Sequence, residues 1–270
     1  MRVTVNQPCV FPDLHLFERI MRSDINVNMA SAQFSRQGWQ SVYHLKVGGA
    51  KRNMPVPVRH YGYWVRIDEA EIADEQRWRK KHFGTIGQFY SRAPFYRKYI
   101  GDIESLIMDG VYGNIGELAK ATMLWGLSCL RIDCVTVNSV EDGLRYRETD
   151  HAGTLVWIDD LNVCDRQEGE PSNWVLNLAA AFGADEYYCG GVASSKYLDH
   201  EAFACQGIRL VPQDWRCPKY LQVDQAPFIG NLSIIDLLMN VGGEVGKDVI
   251  LKGDEDGNRE KSERAVIGGL

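Results

Sequence analysis

Residues 2–28 read RVTVNQPCVFPDLHLFERIMRSDINVN, and this stretch decides the fold class. Residues 2–6 alternate apolar and polar side chains, the two-residue period of a strand. A Pro-rich turn follows, Gln7-Pro8-Cys9-Val10-Phe11-Pro12. Asp13 is placed to cap a short helix over 14–21, with Leu16, Phe17 and Ile20 on one side. Residues 25–28 suit a second short strand. Strand, helix and strand in quick succession predict an α/β fold rather than an all-α or all-β one.

The same alternation continues along the chain. Strands are expected over 41–47, 130–137, 186–189 and 208–211. Pro55 and Pro57 make 53–59 an edge strand or an extended loop. A large helical segment is expected at about 68–128, broken at Ala93-Pro94 and at 110–113. Further helices are expected over 171–182, closed by Gly183, over 195–205, and over 232–240, stopped by Gly242-Gly243. The polar, acidic stretch before residue 171 holds one apolar island, 154–158, which suggests an inserted hairpin. With no internal repeat and no obvious linker, the expectation is a single α/β domain over residues 1–250 with short mixed strands. A solvated C-terminal tail, 251–270, follows it.

Composition narrows the class. The 270 residues are 45% hydrophobic and 24% charged, an ordinary globular balance that excludes collagen and global disorder. No run approaches the roughly 20 apolar residues of a membrane span. The N-terminus MRVTVNQPCVFPDLH has no apolar signal core, so the expected location is cytoplasmic. Seven cysteines, an odd number with no CxxC, suit reduced thiols. The six histidines, at 15, 44, 60, 82, 151 and 200, show no metal-ligand spacing. Neither GxSxG nor HExxH occurs. Cys9 is a possible nucleophile, though a buried, inert thiol is the commoner case.

Charge is unevenly distributed. Residues 77–98 carry seven basic side chains, no acidic one, and six aromatics, against a net charge of −6 for the chain. Guanidinium groups pair with phosphates and aromatic faces stack on rings, so the segment suits a nucleotide or nucleotide-sugar. The competing reading is a solvated helix face. At about 100° per residue, Ile72, Trp78, Phe83, Ile86, Phe89 and Tyr90 form one stripe, and Arg79 and His82 fall inside it. Lys80, Lys81 and Gln88 point away. A polar group in an apolar stripe needs a partner or a cavity. His82 is therefore the candidate general base, the alternative being a core histidine bonded to a backbone carbonyl.

The helix over 232–240 is apolar nearly all round, with Ser233, Asp236 and Asn240 in one line along it. A buried carboxylate needs partners, which singles out Asp236. Ser233 also suits a capping role. Gly190 and Gly191 open a loop, through Ser194 to Tyr197, whose amides suit an anion. Tyr220 and Gln222 share one face of an extended stretch. His82 and Asp236 are expected to border one polar site.

Several of these blocks together resemble the WbqC-like family. They are Gln7-Pro8, Phe11-Pro12, Gln33-Phe34, Trp39, Pro55-Val56-Pro57, the run Trp78-Arg79-Lys80-Lys81-His82, Tyr197-Leu198-Asp199, Tyr220, Gln222 and Leu232 through Leu238. The resemblance covers roughly residues 4–243. It departs from the family pattern at Met29-Ala30-Ser31, where an acidic pair is usual, and at Ser41-Val42, where Asn-Arg is usual; the stretch from about 141 to 167 is longer. The resemblance implies a role in modifying glycan precursors in bacterial O-antigen and related clusters. The expected reaction is transfer of an acyl or aminoacyl group to the amine of a nucleotide-linked amino sugar. His82 and Asp236 are the catalytic candidates. Gln7, Gln33, Trp39, Arg79, Tyr90, Ser194, Tyr197, Tyr220, Gln222 and Ser233 are the substrate-binding ones. No cofactor or metal is identified, an activated acyl donor is implied, and the partner is a nucleotide-sugar or related phosphorylated small molecule. The alternatives are a non-catalytic binding or assembly protein of a glycan pathway, or an enzyme acting on nucleic acid, which the acidic remainder of the chain disfavours.

Overall fold

The computed structural model describes residues 1–267 except 37, 60–63, 74–76, 138, 149–154, 160–170, 192–195 and 225. Ser194 and, within the 141–167 stretch, residues 149–154 and 160–167 therefore lie outside the described residues. Packing divides the chain into two compact units. The sheet unit comprises Met1–Gln7, Glu18–Ala30 and Ile132–Trp215, and the helical unit comprises Pro8–Phe17, Ser31–Arg131 and Arg216–Leu270. The units interleave in sequence, so no linker marks the division. Helix α1 (Leu14–Met21) belongs to the helical unit up to Phe17 and to the sheet unit from Glu18.

The sheet unit carries six parallel strands: β1 (Arg2–Asn6), β2 (Ile25–Asn28), β5 (Cys134–Val137), β6 (Leu155–Asp159), β7 (Glu186–Gly190) and β8 (Arg209–Gln213). Their spatial order is β5-β6-β2-β1-β7-β8. The apolar island is thus a central strand and not a hairpin. Helix α5 (Val140–Glu148) returns the chain from β5 to β6, and β6 pairs parallel to both β5 and β2. Val140 and Leu144, four residues apart, give α5 its apolar side against the core. Helices α6 (Pro171–Ala181) and α7 (His200–Cys205) follow β6 and β7. Asp199 caps α7, its carboxylate accepting from the amides of Glu201 and Ala202.

One sheet face is apolar. Val3, Ile25, Val27, Tyr187 and Cys189 pack with Leu178, Ala179, Phe182 and Phe203 in a single buried cluster. Each fully buried Leu, Ile, Val or Phe contributes about 1.5–3 kcal/mol. The alternate positions on the same strands are polar and still buried: Thr4 and Asn6 on β1, Asn26 and Asn28 on β2. A parallel strand is normally apolar on both faces. This two-residue alternation is what makes the strands read as half-exposed in the sequence.

In the helical unit, β3 (Val42–Val47) and β4 (Ala50–Pro55) form an antiparallel hairpin. Gly48 and Gly49 turn it with φ of 59° and 79°, values that glycine adopts without strain. Helices α2 (Arg77–Tyr90), α3 (Tyr96–Glu104) and α4 (Ile115–Cys129) supply the expected helical segment, α3 continuing into a wide turn over Ser105–Asp109. The segment begins at 77 and not at 68, because Ile67, Ala70 and Ile72 are held in bridges and turns by Ala32, Val58 and Gly113. Asn114 caps α4, accepting from the Glu117 amide, while the Glu117 carboxylate accepts from the Gly113 amide. Helix α8 (Ile234–Ile267) kinks at Gly242, φ 78°, and then continues helical through the residues whose composition suggests a solvated tail. Gly242 packs on the Phe95 ring.

Two glycines separate packing from propensity. A Cβ at Gly243 would stand 1.8 Å from the Cys129 carbonyl oxygen, whereas one at Gly84, exposed on α2, meets nothing within 4 Å. Gly243→Ala is expected to lose about 3 kcal/mol of stability, and Gly84→Ala to gain about 0.5–1 kcal/mol. Urea denaturation of the two variants checks both signs.

Candidate functional site

Helix α8 opens with Ile234, Ile235, Leu237 and Leu238 fully buried, and Asp236 is buried among them. Its carboxylate collects three donors. The Tyr90 hydroxyl donates to Oδ2 at 2.7 Å, the Tyr220 hydroxyl to Oδ1 at 2.6 Å, and Gln222 Nε2 to Oδ1 at 3.0 Å. Three of the predicted binding residues thus converge on Asp236. Gln222 also brackets Ile229, donating to its carbonyl at 2.9 Å and accepting from its amide at 3.1 Å. The Tyr90 hydroxyl accepts from the Lys46 amide at 2.9 Å. The Lys46 ammonium pairs with Asp224 and the Ala226 carbonyl.

Burial raises the Asp236 pKa above the usual carboxylate value, against the pull of its three donors and of Lys46. Burial, then the Asp236 charge, pushes both tyrosine hydroxyls well above the usual phenol value. The phenols therefore remain donors at every physiological pH. The network is saturated from within, and its chemistry is to tie α2, β3, α8 and the 220–229 segment together.

His82 stands apart from it. Its Nδ1 lies 3.1 Å from the Tyr43 hydroxyl, and the Pro55 carbonyl takes a further bond. The Tyr43 and Trp78 rings meet it edge-on, with centroids at 5.4 and 5.2 Å. Burial first, and the Lys81 charge second, lower its pKa to about 4, so it is neutral near pH 7. Among the described residues no recorded bond joins the His82 and Asp236 networks. The reason lies in helix geometry: Tyr90, the α2 residue that Asp236 takes, is eight residues beyond His82, about 12 Å along the axis.

Arg79 lies inside the stripe, as the wheel requires, while Lys80 and Lys81 are exposed. Its guanidinium holds the turn after α3. Nη1 donates to the Ile107 carbonyl at 2.7 Å and the Gly110 carbonyl at 2.9 Å, closing the wide turn after α3, and the group sits 5.0 Å over the Trp78 ring. Ser233 is buried and accepts from the Ile235 amide at 3.3 Å, the capping role. Gln33 is exposed and bridged to Arg66. Trp39 and Tyr197 are exposed, Gln7 is half-buried, and Cys9 is buried.

The cluster that sequence reasoning missed is Asp13 with His44. Asp13 caps nothing with its side chain; its carboxylate oxygens lie 2.8 and 3.0 Å from His44 Nδ1. Asp13 bridges Ser233, the Leu14 amide donates to the Leu232 carbonyl, and the Ser233 amide donates to the His44 carbonyl. The 231–233 strip thereby brings residues 13 and 44 together. His15 stands beside them, its Nδ1 3.1 Å from the Asn231 amide oxygen. The His44 and Asp13 side chains keep 18% and 13% of their surface, so both reach solvent. His44 Nε2 has no hydrogen-bond partner among the described residues. No spacing in the sequence announces a pair set 31 positions apart.

His82 makes stability depend on pH. Its pKa is about 4 when folded and 6.5 in the unfolded reference, so the unfolded chain binds the proton first. Stability therefore rises from pH 4 to 6.5, by about 3 kcal/mol in all, and is lost again on acidification. Urea midpoints at pH 7, 5.5 and 4.5 are expected to fall more steeply for the natural chain than for His82→Gln. Parallel slopes would show that the imidazole does not titrate in that window.

Among the described residues no helix is long and apolar enough to cross a membrane, and no group of three or more His, Cys, Asp or Glu is arranged to hold a metal ion. No solved structure matches the chain. It is 22% identical over 243 residues to the uncharacterized protein Rv1507c of Mycobacterium tuberculosis (strain ATCC 25618 / H37Rv), covering 90% of this chain and 95% of that one. The model of the WbqC-like protein family matches residues 7–247, through both the Asp13–His44 pair and the Asp236 network, and the chain belongs to that family.

Proposed function

We propose that the protein transfers an acyl or aminoacyl group to the amine of a nucleotide-linked amino sugar, with His44 as general base and Asp13 as the residue that orients it. The observation that carries this reading is the bond of His44 Nδ1 to the Asp13 carboxylate on an imidazole that keeps part of its surface and whose Nε2 has no hydrogen-bond partner among the described residues. A carboxylate on Nδ1 fixes the tautomer that leaves Nε2 free to accept a proton. His82, the base expected from the helix stripe, is bonded to Tyr43 and Pro55 and protonated only near pH 4. Such a group is a weak base at neutral pH, so the role passes to His44.

The step balances without a metal or redox partner. The sugar amine attacks the carbonyl carbon of an activated ester or thioester. A C–N bond forms as His44 Nε2 takes a proton from the nitrogen. The C–O or C–S bond then breaks, and the leaving group departs with that proton. The glycan setting comes from the family resemblance, an associational warrant.

Incubation of the full chain with nucleotide-linked amino sugars and activated acyl or aminoacyl donors, read by mass spectrometry, is expected to yield an N-acylated sugar. His44→Ala should cut kcat by about 10²–10⁴. Asp13→Asn should cut it by at least about tenfold, and His82→Gln should leave it within about threefold. A His44→Ala protein as active as the natural one sinks the assignment. A sugar that raises Tm and yields no product identifies a binding protein instead.

A further inference from the structure

Strand order β5-β6-β2-β1-β7-β8 means that the chain fills one side of β1 with β2, β6 and β5, then crosses to the other side with β7 and β8. Connections diverge between β1 and β7. In open parallel sheets that divergence opens a crevice beyond the carboxyl ends of the strands, where ligands bind.

The residues at that end are polar. Asn6 is the last residue of β1 and Gly190 the last of β7. Continuing the register Arg2↔Glu186, Val3↔Tyr187 puts Asn6 beside Gly190, on the same face. Arg19 lies on α1, whose side chains lean toward the helix start and so toward the carboxyl end of the sheet. Its Nη1 occupies the space a side chain at Gly190 would fill, 2.9 Å from the position of the missing Cβ. On the same helix Glu18 accepts from the Tyr188 hydroxyl at 2.9 Å and from Gln213, and pairs with Arg22. Asn6 donates to Asn26, while its own amide oxygen is buried with no hydrogen-bond partner among the described residues. Tyr197 is 48% exposed and lies within electrostatic reach of Arg19.

We infer that this end of the sheet unit binds a nucleoside phosphate: the phosphate on the Arg19 guanidinium over Gly190, a ribose hydroxyl or base N–H donating to Asn6 Oδ1, and the base against the Tyr197 ring. Guanidinium and phosphate match in geometry, an unsatisfied buried acceptor seeks a donor, and an exposed aromatic face accepts a base. Arg79, the guanidinium expected to hold phosphate, is committed to the Ile107 and Gly110 carbonyls. From the reading above, the inference takes only the class of ligand.

Calorimetry on the full chain tests it with uridine diphosphate, adenosine diphosphate and inorganic phosphate. At least one nucleoside diphosphate is expected to bind about tenfold or more tightly than inorganic phosphate. Gly190→Ala keeps every charge but pushes the flexible guanidinium aside. It is expected to weaken nucleotide binding by about tenfold or more, with the unliganded Tm nearly unchanged. Asn6→Ser should weaken the nucleotide and not phosphate, and His44→Ala should bind nucleotide normally. The inference falls if neither diphosphate binds, if inorganic phosphate binds as tightly, or if Gly190→Ala binds like the natural chain. Turnover without nucleotide binding sinks the inference and spares the reaction, while binding without turnover does the reverse.

Discussion

The Asp236 carboxylate is the constraint on which the helical unit depends. An ionised carboxylate in an apolar helix is expensive to desolvate unless it is fully hydrogen-bonded. Here the three donors come from two parts of the chain: Tyr90 at the end of α2, and Tyr220 and Gln222 from the segment before α8, so with α8 itself three segments meet. None is adjacent to Asp236 in sequence, so satisfying one carboxylate fixes where three segments lie. Tyr90 extends the constraint to β3 through the Lys46 amide, and Gln222 extends it to Ile229. A strand that slipped by one residue would turn its inward side chains outward and take the Lys46 amide from Tyr90. The network is thus a register device as much as a source of stability.

What was legible in the sequence was whatever a local period encodes. The alternation in RVTVN places β1 at Arg2–Asn6, and the 3.6-residue stripe in residues 77–90 separates buried Arg79 and His82 from exposed Lys80 and Lys81. The special role of Asp236 follows from the same logic, since one carboxylate among Ile, Leu and Met must find partners. Tyr90, Tyr220 and Gln222 stand out in the sequence as polar groups, but that all three bond the Asp236 carboxylate depends on the tertiary path of the 216–230 segment. The 154–158 island shows the opposite limit. A short apolar run between polar stretches carries no sign of parallel or antiparallel pairing, and only the intervening α5 makes β6 a central parallel strand.

The polar rows of the sheet unit hid its topology. A parallel sheet usually announces itself by unbroken apolar strands, and here Thr4, Asn6, Asn26 and Asn28 break the run at every second residue. Burying those groups is unfavourable: each amide end left without a partner costs about 1–3 kcal/mol. Asn6 and Asn26 satisfy one another at one end only, through a single bond between the two amides. Apolar residues of similar size would pack the same face without that penalty, so the face is shaped by something besides stability.

The same distinction orders the three described histidines of the helical unit. His82 is the best embedded: two rings edge-on, a tyrosine hydroxyl and a backbone carbonyl fix it, and burial strips it of basicity near pH 7. It is also the one that a search for misfit polar groups selects first, because the helical stripe makes its burial visible. His44 and His15 are partly exposed, on a strand and on a short helix, where such an imidazole violates no pattern. Chemistry on a substrate needs a group held firmly on one side and open on the other. Full burial meets only the first condition, whereas the Asp13–His44 pair is bonded on one side and partly exposed, which is why the proposal rests on it. Misfit in a periodic pattern here detected buried polar networks, whereas the proposed site is written in contacts between distant segments, residue 13 against residue 44 through the strip at 231–233.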